Sequence, residues 1–181
     1  MTRPLRVVLT GSEGTGKTTL ARALAERYRT IWVPEAARTR AETKGRPLDG
    51  TDVEWIARRH VEDADAAVSL AAGLLVLDTD LVSTVVYARH YYGGCPVWIE
   101  REARARRGDI YLLHRPDVPW VPDGVRDRGD SRAAMHASFV RMLASLDARV
   151  ADVRGAWAER ERHAVEAIEA LLVEAGDPAG G

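Results

Sequence analysis

The chain contains no asparagine and no glutamine, only two lysines among its 26 basic residues, one cysteine and one phenylalanine. Without asparagine it cannot carry the Asn-Lys-x-Asp element with which Ras-like GTPases read guanine. The lone Cys95 has no intrachain disulfide partner. The only apolar stretch ahead of Gly11 runs from Leu5 to Leu9, too short for a signal peptide or a membrane span, so no membrane association and a cytoplasmic location are expected. A net charge of −1 supplies no global basic field to recruit nucleic acid. The five histidines show neither HxH nor HExxH spacing, so no bound transition metal is expected. With lysine confined to Lys17 and Lys44 in an Ala/Arg-rich chain, the bias reads as genome composition rather than heat adaptation, which usually raises lysine as well.

What is present is globular: 46% hydrophobic and 29% charged residues over 181 positions, enough for one α/β domain with a substantial core. Residues 1–175 are assigned to that domain and 176–181 to a flexible Gly/Pro tail. Leu5 to Leu9, broken only by Arg6 and ending at Gly11, reads as a strand covered on both faces. A helix from Lys17 to Tyr28 and a strand from Thr30 to Val33, stopped by Pro34, follow. After a loop holding Gly45, Pro47 and Gly50, Thr51-Asp52-Val53-Glu54 has capping-box form, and the spacing predicts a helix to about Ala72. Leu74 to Leu77 is a fully apolar strand delivering Asp78, Thr79 and Asp80. Helices are expected at 81–92 and 96–107, a strand at 110–113 and a polar loop over 114–130. A helix capped by Asp130 or Ser131 should run to about Leu146, a weaker strand should span 150–153, and a closing helix 159–174. The alternation implies an α/β fold of the P-loop NTPase kind: a five-stranded, doubly wound parallel sheet with helices on both faces.

Gly11-Ser12-Glu13-Gly14-Thr15-Gly16-Lys17-Thr18 fits GxxxxGK[ST] between a strand and a helix. The glycines let successive backbone N–H groups converge on a phosphate, and the following helix presents its positive end to the anion. ATP is the expected nucleotide, bound by Gly11, Glu13, Gly14, Thr15, Gly16, Lys17, Thr18 and Thr19. Lys17 should bridge the β- and γ-phosphates, and Thr18 with Asp78 should hold Mg²⁺. Asp78, directly after an apolar strand, has the Walker-B placement. Asp80 reads equally as a helix N-cap or as a functional acid. Glu35, at the end of the second strand, either accepts a proton from an acceptor hydroxyl or begins a helix favourably. In the proline- and glycine-punctuated loop 116–132, Arg126, Arg128 and Arg132 suit a lid closing over the triphosphate, or a solvated surface. The run Arg101, Arg104, Arg106 and Arg107 is interleaved with Glu100 and Glu102 and reads as a solvated face. Trp55, Tyr87, Tyr91, Tyr92 and Trp98 are divided between an acceptor pocket and amphipathic packing.

With these residues in place the chain resembles the NadR-like AAA-type ATPases, in particular the ribosylnicotinamide kinase domain of bifunctional NAD-biosynthesis regulators. The residues carrying the resemblance are Glu13 in the P-loop, Val33-Pro34-Glu35-Ala36-Ala37-Arg38, Leu77-Asp78-Thr79-Asp80-Leu81 with Ser83-Thr84, and Asp117 to Trp120 with Asp123, Gly124 and Arg126. The resemblance implies ATP-dependent phosphorylation of the ribose 5′-hydroxyl of nicotinamide riboside, with Asp78 in the metal shell, Asp80 on ribose hydroxyls and Glu35 as base. The family's bifunctional members carry an adenylyltransferase domain before the kinase, so a stand-alone kinase is expected here. His60 stands where similar sequences often carry glutamine, and Arg40 where an aromatic is frequent. The adenine-contacting segment is expected near Ala156 to Arg160. Competing readings are a kinase for another nucleoside, a small metabolite or a polynucleotide 5′-hydroxyl end, and a nucleotide-dependent regulatory ATPase. A polynucleotide would demand a positive groove, which the near-neutral charge disfavours.

Overall fold

A computed structural model of the chain describes residues 3–119 and 131–176. Five strands, β1 (Leu5–Gly11), β2 (Ile31–Val33), β3 (Leu74–Asp78), β4 (Ile110–His114) and β5 (Val150–Val153), form one parallel sheet in the order β2-β3-β1-β4-β5. Around it lie α1 (Lys17–Arg27), α2 (Ala36–Lys44), α3 (Val53–Val68), α4 (Leu81–Tyr92), α5 (Val97–Ala105), α6 (Arg132–Ser145) and α7 (Trp157–Gly176).

The strands read as unbroken apolar runs because both of their faces are covered. Val7 and Leu9 of β1, Leu74 and Val76 of β3, and Ile110 and Leu112 of β4 pack under α1 and α7 through Leu20, Leu24, Ala164 and Ile168. Their alternates Val8, Leu75, Leu77, Tyr111 and Leu113 face α3, α4, α5 and α6. β1 is central, paired with β3 on one side and β4 on the other. The chain leaves β1 for one half of the sheet and later returns to the other half. The crevice at the carboxyl end of β1 is therefore the switch point where such sheets bind ligands.

Two boundaries around α3 differ from the sequence reading. The capping box is formed by Asp49 and Asp52 around a short 3₁₀ turn at Gly50–Asp52, not by Thr51 and Glu54. Asp49 accepts from the Thr51 amide at 2.9 Å, and Asp52 accepts from the Asp49 amide at 3.1 Å. Asp52 is fully buried and also receives Arg40 Nε at 2.9 Å and Lys44 Nζ at 2.5 Å, which ties α2 to the start of α3. Burial pushes its carboxyl up, but the bonds from Lys44, the Asp49 amide and Arg40 outweigh it and hold the pKa at about 2. Second, α3 stops at Val68, short of Ala72, because the chain must unwind to bring Gly73, at φ +77°, into line with β3. Ser131, one of the two expected caps, occupies the N-cap of α6, and the alternative Asp130 lies outside the described residues. α2 has no counterpart among the expected elements: of its residues AARTRAETK only Ala36 and Ala37 are buried, so it carries no apolar stripe to read. α7 extends through Gly176, and the rest of the expected tail lies outside the described residues.

Candidate active site

β1 ends in the loop that fits the phosphate-binding pattern, and α1 begins at Lys17 directly after it. Gly11 has φ +123°, and a Cβ there would stand 2.7 Å from the backbone oxygen of His114, so no larger residue fits between β1 and β4. Gly14 and Gly16 are left-handed at φ +63° and +83°. Lys17 is buried and donates Nζ to the Ser12 carbonyl at 2.7 Å, while Thr15 Oγ1 donates to the same oxygen at 2.9 Å. Thr19 is exposed on the first turn of α1.

Thr18 and Asp78 meet across the β1 and β3 carboxyl ends, with Thr18 Oγ1 donating to Asp78 Oδ2 at 2.6 Å. Asp78 is 1% exposed, and its Oδ1 has no hydrogen-bond partner among the described residues. Burial, and then the charge of Glu35, push its pKa up to about 6 against the Thr18 bond and the charges of Lys17 and Arg38. A hydroxyl beside an unsatisfied buried carboxylate oxygen is a hard-oxygen pair that suits Mg²⁺. Among the described residues no group of three or more His, Cys, Asp or Glu side chains is placed to hold a metal ion. A cation held by Thr18 and Asp78 would therefore draw its other ligands from phosphates and water.

Asp80 is placed differently from what the resemblance implies. It is the N-cap of α4, with Oδ1 accepting from the Val82 and Ser83 amides at 3.0 and 3.3 Å, and Oδ2 accepting from Tyr111 Oη at 2.7 Å. Both oxygens are engaged inside the fold, where Asp80 acts as the cap of α4. Burial pushes its pKa up to about 6 despite those bonds. Glu35 holds the N-cap position of α2 without a side-chain cap bond and lines the cavity next to the phosphate loop.

That cavity, about 210 Å³, lies between α2, α3 and α4. Its polar lining includes Glu35, Asp49, His60, Thr79 and Ser83; its aromatic wall is Tyr87, Tyr91 and Tyr92. No lysine or arginine lines it among the described residues. Tyr87 Oη donates to the Gly11 carbonyl at 3.3 Å and Tyr91 Oη to Glu13 Oε1 at 2.9 Å, so this wall is bonded to the phosphate loop. Glu13 therefore turns its carboxylate toward the cavity side. The two tryptophans stand elsewhere: Trp55 is covered by Arg40 at 4.6 Å and Trp98 by Arg58 at 4.8 Å.

Of the three expected lid arginines, Arg126 and Arg128 lie outside the described residues. Arg132 donates to the Val118 carbonyl at 3.0 Å, while its Nε and Nη2 are buried and make no hydrogen bond among the described residues. In the arginine run after α4, Arg106 pairs with Glu102 and Asp65, and Arg104 and Arg107 donate to the carbonyls of Ser145 and Leu146. The sequence reading missed a buried support beneath the loop. Arg160 is 2% exposed and donates to the carbonyls of Gly155, Thr15, Val153 and Arg115 and to the carboxylate of Asp117. His114 Nδ1 meets the same Thr15 oxygen at 3.0 Å, which assigns the proton to Nδ1; burial pushes this ring's pKa down to about 3. His114 could have been picked out as the polar end of an apolar strand. Arg160 has no local signal in a helix full of charges. The segment expected to contact adenine does border the loop, since the Trp157 ring lies 3.6 Å from where a Cβ on Gly16 would stand.

A family model described as AAA domain matches residues 6–160. The trifunctional NAD biosynthesis/regulator protein NadR of Salmonella typhimurium strain LT2 is 29% identical over 177 residues, 94% of this chain and 43% of that protein. A guanylate kinase of Gloeobacter violaceus is 26% identical over 207 residues, covering 97% of this chain and 91% of that protein. A crystal structure of NadR protein in complex with NR superposes with a TM-score of 0.76 at 26% identity, over 92% of this chain and 51% of that one. The chain thus spans about half, or less, of the NadR proteins it matches.

Proposed function

This chain belongs to the AAA-domain family, and from that premise we propose that it is an ATP-dependent nucleoside kinase that phosphorylates the ribose 5′-hydroxyl of nicotinamide riboside to give nicotinamide mononucleotide. The observation that carries the reading is the composition of the cavity wall. It opens beside the phosphate loop and is lined by tyrosines and by the carboxylates of Glu35 and Asp49, with no cation among its described lining residues. An acceptor already bearing a phosphate, such as a nucleoside monophosphate, would meet like charge there. A riboside with a positively charged pyridinium ring meets aromatic faces and carboxylates, which attract it.

In this mechanism the amides of 11–16 and Lys17 hold the β- and γ-phosphates, and Lys17 leaves the Ser12 carbonyl to do so. Thr18 and Asp78 would hold Mg²⁺, which would neutralise phosphate charge. Glu35 orients the 5′-hydroxyl and takes its proton as that oxygen bonds to the γ-phosphorus. The bond between the γ-phosphorus and the bridging oxygen breaks, and ADP leaves. Arg132, with Arg126 and Arg128, supplies positive charge to the transferred group, and Trp157 offers a face to adenine. No helix among the described residues is long and apolar enough to cross a membrane; cytoplasmic ATP and the free thiol of Cys95 agree with a cytoplasmic enzyme.

The test is ADP release from Mg·ATP with and without nicotinamide riboside, beside other nucleosides and a 5′-hydroxyl oligonucleotide. Strong stimulation by nicotinamide riboside with formation of its mononucleotide is expected, and Lys17→Ala should lower it by about 100- to 1,000-fold. Hydrolysis indifferent to every acceptor would replace the kinase with a regulatory ATPase.

A further inference from the structure

His60 lies on the α3 face that also presents Val53 and Ile56 to the cavity, and it is 6% exposed. Its ring makes no hydrogen bond among the described residues. Its nitrogens are nevertheless not sealed in the way that one ring nitrogen each of His114, His136 and His163 is. His60 is one of the residues that line the cavity. α3 runs from the phosphate edge of the sheet toward the opposite edge, where β3 begins, so His60 sits about 10 Å further in than Val53. An acceptor with its 5′-hydroxyl beside Glu35 points its base toward this end.

We infer that His60 is the residue that selects the acceptor's base, offering one N–H donor and one lone pair to an uncharged exocyclic group of the carboxamide type. The inference rests on the reading of this cavity as the nucleoside site. A largely buried ring with no partner among the described residues gains from a ligand group that supplies the bond in place of water. Burial pushes the imidazole pKa down to about 4, so the ring is neutral at pH 7. The charges acting on it are Asp63, Arg6, Arg106 and Asp65, and none of these lines the cavity. A carboxylate on the base would therefore be buried beside a neutral ring without a cation, and is disfavoured.

The test compares kcat/KM for nicotinamide riboside, the riboside of unsubstituted pyridine and nicotinic acid riboside, using the full chain as wild type, His60→Leu, His60→Phe and His60→Gln. The wild type should prefer the carboxamide over either analogue by about 10- to 100-fold. In His60→Leu and His60→Phe that preference should collapse to within about three-fold through a raised acceptor KM, with the KM for Mg·ATP unchanged. His60→Gln, which restores a donor and an acceptor, should retain most of it. Two apolar variants are used so that misfolding of one leaves the comparison intact. If the wild type prefers another nucleoside, the same ratio is taken against the analogue lacking that base's exocyclic polar group. An undiminished ratio in the apolar variants, a glutamine variant as indiscriminate as they are, or a wild type without preference overturns the inference. A wild type that phosphorylates no nucleoside removes the kinase reading itself, and the inference with it.

Discussion

Replacing Asp78 with asparagine keeps the shape of the side chain and an acceptor for Thr18 Oγ1, and removes one buried charge. In the ligand-free protein that charge is a liability: Asp78 is 1% exposed, faces the field of Glu35, and has one oxygen without a hydrogen bond. A carboxyl pKa raised from 3.8 to about 6 corresponds to about 3 kcal/mol of destabilisation once the group is ionised in both states. The sign follows from linkage. Below the unfolded value of 3.8 the group is protonated in both states and costs nothing. The cost grows as pH rises between 3.8 and about 6, and is complete above that. Asp78→Asn should therefore be more stable than the wild type at pH 8, by about 1 to 3 kcal/mol after allowing for the amide's own unmet bonds, and the gap should close toward pH 4. Urea unfolding at a series of pH values measures it. The same variant should lose the thermal stabilisation that Mg·ATP gives the wild type and most phosphoryl transfer, since the charge that destabilises the fold is the one proposed to ligate the cation. A variant less stable than the wild type at pH 8, with a gap that does not depend on pH, would show that the Asp78 carboxylate stabilises the fold and would refute the argument.

Gly11→Ala adds a Cβ 2.7 Å from a backbone oxygen at a φ of +123°, and should cost about 2 to 4 kcal/mol in denaturant unfolding; a variant with the wild-type midpoint would mean that β1 and β4 can move apart there. Arg160→Met removes the buried guanidinium from the Asp117 carboxylate, which keeps the Gly155 amide, and from the Thr15 carbonyl, which keeps His114 Nδ1, and should cost about 2 to 4 kcal/mol with Asp117 partly solvated. It should also raise the KM for Mg·ATP while leaving the acceptor KM in place, and steady-state kinetics varying each substrate separate the two.

The parts of the molecule that could be read from the sequence are those whose cause is local. β1, β3 and β4 announce themselves because a strand covered on both faces must be apolar at every position, and α4 begins and ends where Asp80 and Gly93 demand. The phosphate loop is legible for the same reason, since its glycines are required by its own backbone. α2 was illegible because its role is to carry Glu35 and to send Arg40 and Lys44 to Asp52, work that leaves no apolar period. The capping box lies further toward the N-terminus than Thr51 and Glu54 because Asp52 is bonded to α2 by tertiary contacts. The cavity was partly foreseen in its aromatics. That the tyrosines line it and the tryptophans do not depends on which residues of α3 and α4 face one another, which no single helix reveals.

The sharpest limit lies in Asp78-Thr79-Asp80, where two identical side chains two positions apart have opposite fates. Between them Thr79 adopts φ +72°, a left-handed conformation that a β-branched residue takes only under constraint. Its amide donates to the Leu9 carbonyl at 3.0 Å, so the turn is pinned to β1. The consequence is a change of direction: Asp78 is left facing Thr18 and the phosphate loop, while Asp80 is swung under α4, where two amides and Tyr111 of β4 take both of its oxygens. Backbone strain of this kind costs about 1 to 3 kcal/mol and persists when surrounding bonds over-determine it. Here the cap at Asp80 and the amide bond at Thr79 both do so. The cap on α4 holds Asp80 in place, that placement holds the turn, and the turn holds Asp78 with a free oxygen at the mouth of the crevice. Asp80 thus supports the site through its position in the fold.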